Sequence, residues 1–400
     1  MLVAAEASGD QLGAGLARAL RARLGEGVRF VGVGGPAMAA EGVESPFGLG
    51  ELSILGLVEG LRAYPRVVRL ADVAADLAVR ERPDVAVLID AWGYTLRVAR
   101  RLRRRLPALP LIKYVGPQVW ASRPGRARTL ARSVDLLLSI HAFDPPHFEA
   151  AGLRTAFVGS RALAQDFNDA DPAGFRERIG AIAGERILLV LPGSRPAEVR
   201  RLTGPFGEAI GLLSATRPDL RIVVALAPTV ADQVREAVRG WRPAPMLIEG
   251  EAVRRDAMRT ATAALACSGT VSTELALAGA PMVIAYRLGA LTYALVKPLM
   301  RAPHITLLNI AAGERIAPEL VQGDCTGPKL AAALAPLLDD PARAAAQSAA
   351  QTAALDRMGR GGPDPSEAAA DAVLDLVRSR RSSLPASPTL APVRFGPDPH

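Results

Sequence analysis

The chain is short of cysteine, lysine and aromatic residues, and each shortage excludes something. Only Cys267 and Cys325 occur among 400 residues. Cys267 closes the apolar run from Thr262, so a buried free thiol is expected rather than a disulfide-stapled secreted scaffold, and with it a reducing compartment. Lysine stands only at Lys113, Lys297 and Lys329, so arginine supplies nearly all of the Lys+Arg total of 48 behind the net charge of +8. Such a field favours phosphates, nucleic acid or anionic lipid without choosing among them. Aromatic residues make up 4% and are not interleaved with the arginines in a recognised module, which argues against nucleic-acid binding. No stretch reaches the ~18 unbroken apolar residues of a spanning helix. The first residues carry acids where a secretory signal would be basic. A cytoplasmic protein that meets membranes only peripherally is therefore expected. The histidines His141, His147, His304 and His400 are scattered and the cysteines isolated, so no metal constellation and no cofactor are read from the sequence.

What is present is a globular composition, 50% hydrophobic and 22% charged, in a chain long enough for two domains. Short apolar runs alternate with longer amphipathic ones, the pattern of α/β parallel sheets with crossover helices. Strands are predicted at Leu2–Ala5, Val28–Val33, Val85–Asp90, Leu111–Val115, Leu136–Ile140 and Thr155–Val158, then at Ile187–Leu191, Ile222–Leu226, Pro245–Ile248, Ala263–Ala266 and Met282–Ala285. Both halves read as Rossmann-like. The polar stretch from Ser160 to Asp171 marks the hinge, which gives a first domain over 1–165 and a second over 166–377, whose final helices are free to pack back on the first. The segment 378–400, rich in Arg, Ser and Pro, reads as a disordered tail. Two Rossmann-like domains facing across a cleft suit a reaction that joins two bulky substrates.

Several turns carry candidate chemistry. Glu6-Ala7-Ser8-Gly9-Asp10 links the first strand to a helix. It reads equally as a helix-terminal anion site and as a plain turn with Ser8 or Asp10 as cap. Asp90 ends a very apolar strand, where a parallel sheet delivers side chains to ligands and where desolvation can raise a carboxylate pKa; it is the general-base candidate, with a cap for the segment from Tyr94 as the alternative. Gly116-Pro117-Gln118-Val119-Trp120, followed by Arg123, Arg126 and Arg128, is a stiff turn with a basic sequel. Leu191-Pro192-Gly193-Ser194-Arg195 and Cys267-Ser268-Gly269-Thr270, the latter followed by Glu274, are strand-to-helix glycine turns suited to a pyrophosphate. Arg195 can fork onto phosphate and Glu274 can accept from ribose hydroxyls. The apolar segment Gly48–Leu61 and the cluster Arg97, Arg100, Arg101, Arg103, Arg104 and Arg105 read either as a core helix beside a solvated face or as a surface for acyl chains and headgroups.

In order along the chain, AAEASGD, FVGVGGPAM, LGLVEGL, GPQVWASRPGR, LPGSRPAEV, SGTVSTELAL with PMVIAYR, and the Asn309 segment resemble the lipid-A-disaccharide synthase family, over about residues 2 to 375. The resemblance implies a GT-B fold and transfer of 2,3-diacylglucosamine from UDP-2,3-diacylglucosamine onto 2,3-diacylglucosamine 1-phosphate, at the cytoplasmic face of an inner membrane. It further implies a donor site of Arg195, Ser268, Gly269, Thr270, Glu274, Tyr286, Arg287 and Asn309. The acceptor side would hold Glu6, Ser8, Gly9 and Asp10, with Asp90 as catalytic base. The chain departs from the family pattern in three places. Asp90-Ala91-Trp92-Gly93-Tyr94 stands for D-[AS]-P-D-F and so lacks a second acid, Trp120-Ala121-Ser122-Arg123 stands for W-A-W-R, and Gly159-Ser160 stands for G-H. Two alternatives stay open at this level: another UDP-GlcNAc-dependent GT-B enzyme, or a non-catalytic binder of nucleotide or anionic lipid. Oligomeric state is not legible.

Overall fold

The computed structural model describes residues 1–52, 57–289, 292–294, 297 and 302–382, with the side chains of 57–63 and 381 left aside. Strands β1 (Leu2–Val3), β2 (Gly32–Val33), β3 (Ala86–Ile89), β4 (Leu111–Tyr114), β5 (Leu136–Ser139) and β6 (Thr155–Phe157) form one six-stranded sheet in the order β2-β1-β3-β4-β5-β6. Strands β7 (Arg186–Leu191), β8 (Leu220–Ala225), β9 (Met246–Ile248), β10 (Ala263–Cys267), β11 (Met282–Tyr286) and β12 (Glu319–Val321) form a second, in the order β12-β11-β10-β7-β8-β9. The pairings are parallel, for example Val3 with Val33, Leu88 with Lys113 and Val190 with Leu265. This is the α/β, GT-B-class architecture expected, with two Rossmann-like sheets.

The apolar runs become strands because a parallel sheet buries both faces. In β7, Leu188 and Val190 enter one core with Val199, Leu202 and Phe206. Ile187, Leu189 and Leu191 enter the opposite core with Phe175, Ala257 and Leu275. Each large apolar side chain so buried contributes about 1.5–3 kcal/mol. Strand β12 was not predicted: it is three residues long, follows Pro318 and carries Glu319, so it has no apolar run to announce it.

Each sheet reverses its winding once. In the second, the chain fills β7, β8 and β9 to one side and then returns to lay β10 against β7. In the first, β1 has β2 on one flank and β3 on the other. Beyond the carboxyl ends of such paired strands the crossovers diverge and leave room for a ligand. The turns after β1, β7 and β10 fall at these two points, β1/β3 and β7/β10.

By internal contact the chain divides into two units. The first is Met1–Val115, Arg132–Leu138 and Ser366–His400; the second is Gly116–Ala131 and Ser139–Pro365. The helix Pro365–Ser382 supplies the first unit with buried Ala369, Ala370, Val373 and Leu376. Arg23 donates to Asp371 at 2.7 Å and pairs with Glu367. A Cβ on Gly15 would stand 2.5 Å from the Ser366 hydroxyl. The segment expected to be disordered from Arg378 is helical as far as Ser382, held by Arg380 to Asp135 at 2.7 Å; positions 383–400 lie outside the described residues.

Candidate functional site

In the first unit the turn after β1 approaches the end of β3. Glu6 and Ser8 are exposed at the start of the helix Ala7–Leu24, and Gly9 is buried, where a Cβ would stand 3.3 Å from that of Ala4. The Ser8 hydroxyl donates to Asp90 Oδ2 at 3.4 Å. Asp10 has another task. It is 3% exposed and accepts from the amides of Gly35, Ala37 and Met38 at 2.7, 2.9 and 3.0 Å, so it caps the helix Pro36–Ala40. With its oxygens spent on amides, Asp10 is removed from the acceptor set, and neither it nor Ser8 caps its own helix.

The cap position of the helix Trp92–Arg105 is Ala91, and the described bond of the Asp90 carboxylate goes to Ser8 and not to that helix's first turn. Asp90 and Ala91 both lie in the left-handed region, with φ of 48° and 39°. The Asp90 amide donates to Tyr114 O at 2.8 Å, and its carbonyl accepts from the Thr95 hydroxyl at 2.8 Å and from the Lys113 ammonium. Lys113 is 3% exposed, and burial pulls its pKa down to about 7 against the raising effect of the Asp90 charge. Sequence reasoning read Lys113 as one more strand residue. The signal available was a lone lysine inside the run Leu111–Val115.

In the second unit, the turn after β7 is built around Glu198. Gly193 has φ of 114°, and a Cβ there would lie 2.6 Å from Glu198 Oε2, so only glycine fits. Glu198 accepts from the amides of Ser194 and Arg195 at 3.1 and 3.3 Å and from Arg195 Nη1 at 2.8 Å. The Arg195 side chain stays 75% exposed. Cys267, Tyr286 and Glu198 act on the same guanidinium, so the β7 and β11 ends share one locality with the start of the β10 turn. Burial pushes the Cys267 thiol up to about 12, and burial likewise raises Tyr286.

On the β10 turn Ser268 is half-buried, and Gly269 and Thr270 are exposed before the helix Val271–Leu277. Glu274 pairs with Arg254 at 3.2 Å, and Arg254 Nε is buried without a hydrogen-bond partner among the described residues. Arg287 Nε donates at 3.2 Å to the carbonyl of Gln322, the residue that follows β12. Asn309 is 0% exposed. Its side-chain amide donates to Ala317 O at 2.9 Å and its oxygen accepts from Ala317 N at 3.0 Å. It therefore braces the loop that carries Ala317. Glu319 braces the same loop from β12, accepting from the Thr306 amide and hydroxyl, each at 2.8 Å. Reading the sequence as free of a D-x-D triplet is corrected by Asp169-Ala170-Asp171, whose acids are used otherwise: Asp169 pairs with Arg255 at 2.5 Å and Asp171 accepts from Gly174 N at 2.8 Å. Among the described residues no group of three His, Cys, Asp or Glu side chains converges as metal ligands.

The turn carrying Trp120 has partners that the sequence did not reveal. The indole donates to Asp144 Oδ1 at 2.9 Å and meets Phe143 edge-on at 5.2 Å, while His141 stacks on Phe143 at 5.2 Å. Asp144 also accepts from the Ser139 hydroxyl at 2.8 Å, and burial raises its pKa. The arginine cluster is partly consumed: Arg101, Arg103 and Arg105 pair with Asp72, Asp135 and Asp76 at 2.5, 2.8 and 2.6 Å. Arg100 and Arg104 are exposed. Of the apolar segment Gly48–Leu61, positions 53–56 lie outside the described residues, and no described helix is long and apolar enough to cross a membrane.

A family model described as lipid-A-disaccharide synthetase matches residues 1–373. The chain is 44% identical over 379 residues to the lipid-A-disaccharide synthase of Paramagnetospirillum magneticum, covering 94% of this chain and 97% of that one. It is 42% identical to that of Rhodospirillum centenum, covering 95% and 94%. Among solved structures it is similar to a putative UDP-N-acetylglucosamine 2-epimerase from Listeria monocytogenes, with TM-score 0.60, 13% identity and 97% of each chain covered. It is also similar to a glycotransferase of kitacinnamycin, with TM-score 0.56, 19% identity and coverage of 94% and 97%. At those identities the two structures bear on the fold alone. Whole-length identity above 40% to two such enzymes, with the glycine turns in place at both sheet reversals, makes the chain a member of the lipid-A-disaccharide synthase family of glycosyltransferases.

Proposed function

We propose that the enzyme transfers 2,3-diacylglucosamine from UDP-2,3-diacylglucosamine to the 6-hydroxyl of 2,3-diacylglucosamine 1-phosphate, with inversion, giving a β-1,6 disaccharide 1-phosphate and UDP. The observation that carries this reading is the sorting of chemistry between the two winding reversals. A carboxylate whose described bond goes to Ser8 and not to the helix after it, Asp90, stands at β1/β3, and a glycine turn with an exposed guanidinium, Arg195, stands at β7/β10. In the reaction the acceptor hydroxyl gives its proton to Asp90 as its oxygen bonds to the donor C1. The bond from C1 to the UDP oxygen breaks, and the charge gathering on the diphosphate is met by Arg195 and Arg287, aided by the Ser268-Gly269-Thr270 turn. Tyr286 borders the same locality, and Glu6 and Ser8 flank the acceptor side. The test is mass-spectrometric detection of disaccharide from the two acylated substrates, with UDP-GlcNAc as control donor. No product from the acylated donor would reject the assignment.

The donor site uses cationic side chains and backbone amides, so UDP affinity measured by calorimetry is expected to be the same with and without EDTA. In the same assay Glu274→Ala weakens UDP-sugar binding by about 1–3 kcal/mol, the scale of a charge-assisted hydrogen bond lost with its partner left unpaired. Unchanged affinity would assign Glu274 to holding Arg254 alone.

Both substrates are acylated, and the enzyme therefore works at an anionic inner-membrane surface as a peripheral protein. Arg100 and Arg104, exposed members of the cluster outside the described ion pairs, supply the attraction, and the Gly48–Leu61 segment supplies apolar contact. Sedimentation with anionic vesicles should fall as salt is raised; salt-insensitive binding would remove the arginines from the account.

A further inference from the structure

Two unfavourable features meet at the end of β3. Asp90 and Ala91 are consecutive non-glycine residues in the left-handed region, where a Cβ is strained. Beneath them Lys113 is buried, and what meets its ammonium is the carbonyl of Asp90 and, at 2.9 Å, the hydroxyl of Thr95. Burying a lysine amine whose described hydrogen-bond partners are one carbonyl and one hydroxyl is unfavourable, and an apolar side chain in the same space would serve the core better. Strain of this kind persists only where surroundings over-determine it. The over-determination is visible: the Asp90 amide is fixed on Tyr114 O, its carbonyl on Thr95 and Lys113, and the Ala91 carbonyl accepts the amides of Tyr94 and Thr95, each at 3.0 Å.

The relaxed alternative is evident from the sequence. An aspartate just before a helix ordinarily turns its carboxylate onto the amides of the first turn. Here that position falls to Ala91, which cannot cap, and the Asp90 carboxylate stands toward the Ser8 hydroxyl. We propose that Lys113 is a positioning residue which, by gripping the Asp90 carbonyl together with Thr95, holds the left-handed turn and keeps the Asp90 carboxylate out of the helix cap and available to the acceptor. The inference rests on the reading of Asp90 as base.

Lys113→Met tests it, because methionine has similar length and no charge. The expected result is a fall in kcat of about 10- to 10²-fold, the scale of a misplaced reacting group. KM for both substrates and UDP affinity stay within twofold, and the melting temperature is unchanged or raised. A residue serving stability alone would give the opposite split, with melting temperature falling and kcat retained. Thr95→Val should lower kcat in the same direction and Thr95→Ser should restore it, and this pair carries the test if Lys113→Met does not fold. A wild-type kcat in Lys113→Met or in Thr95→Val overturns the inference. Asp90→Asn in the same assay separates the two levels. If it is inactive while Lys113→Met turns over normally, only the role of Lys113 fails. If Asp90→Asn itself turns over normally, the assignment of the base fails and the inference with it.

Discussion

Asp90→Asn is expected to lose at least about 10²-fold in turnover while binding UDP as the wild type does, the lower range for removal of a general base. Asparagine keeps the size of the side chain and one acceptor oxygen, so the Ser8 hydroxyl retains a partner. The main-chain bonds that fix the turn, from Thr95 and Lys113 to the Asp90 carbonyl, do not involve the substituted group. What is lost is the ability to take a proton from the attacking hydroxyl. The β7/β10 turn lies in the other unit, so donor affinity is the internal control. Turnover within a few-fold of wild type would dismiss Asp90 as base. Glu6, exposed on the neighbouring turn, would then be the carboxylate to replace, because Asp10 is already committed to three amides.

The second large effect is expected at Glu198. Its carboxylate is the common acceptor for the Ser194 amide, the Arg195 amide and the Arg195 guanidinium, and the residue is 7% exposed. Glu198→Ala leaves two amides and a guanidinium without that acceptor and removes the support of the left-handed Gly193. We expect a loss of about 1–2 kcal/mol in unfolding free energy, read from urea midpoints, since three hydrogen bonds to one carboxylate are lost while water reaches the exposed Ser194 and Arg195 in part compensation. UDP affinity should fall by more than about tenfold with it, as Arg195 loses its anchor and its turn. Glu198→Gln, which keeps shape and one acceptor oxygen, should lie between. Wild-type stability together with wild-type UDP affinity in Glu198→Ala would show that the turn holds itself.

Much of this was legible from the residues, for identifiable reasons. Strands buried on both faces announce themselves as unbroken apolar runs, so β3, β7 and β10 were read where they stand. Of the glycine turns, the one at Gly193 is required by a φ of 114°, whereas Gly9 and Gly269 lie outside the left-handed region. What stayed hidden was which distant amide or guanidinium a carboxylate would meet. Asp10 looked like a cap for its own helix and caps one that begins at Pro36. Asn309 was placed at the donor by family resemblance and is spent on Ala317. The triplet at Asp169 and Asp171, which in sequence has the form of a metal motif, serves an ion pair and a helix cap. Asp144 had no neighbour in sequence to mark it as the acceptor for Trp120. Such pairings depend on how strands order themselves in a sheet, which no local pattern specifies.

The helix Pro365–Ser382 carries one further consequence. It belongs to the unit that begins at Met1, and Arg23 and the space beside Gly15 are matched to it. A ribosome delivers β1 and Asp90 before the second unit's strands and this helix after them, so of the two units the one holding the proposed base is started first and completed last. The second unit, lying between, has all of its strands before the closing helix is made. During synthesis the acceptor side therefore waits for the donor side, and a chain interrupted at Pro365 carries every residue assigned to the reaction while lacking the piece that buries the back of its first helix.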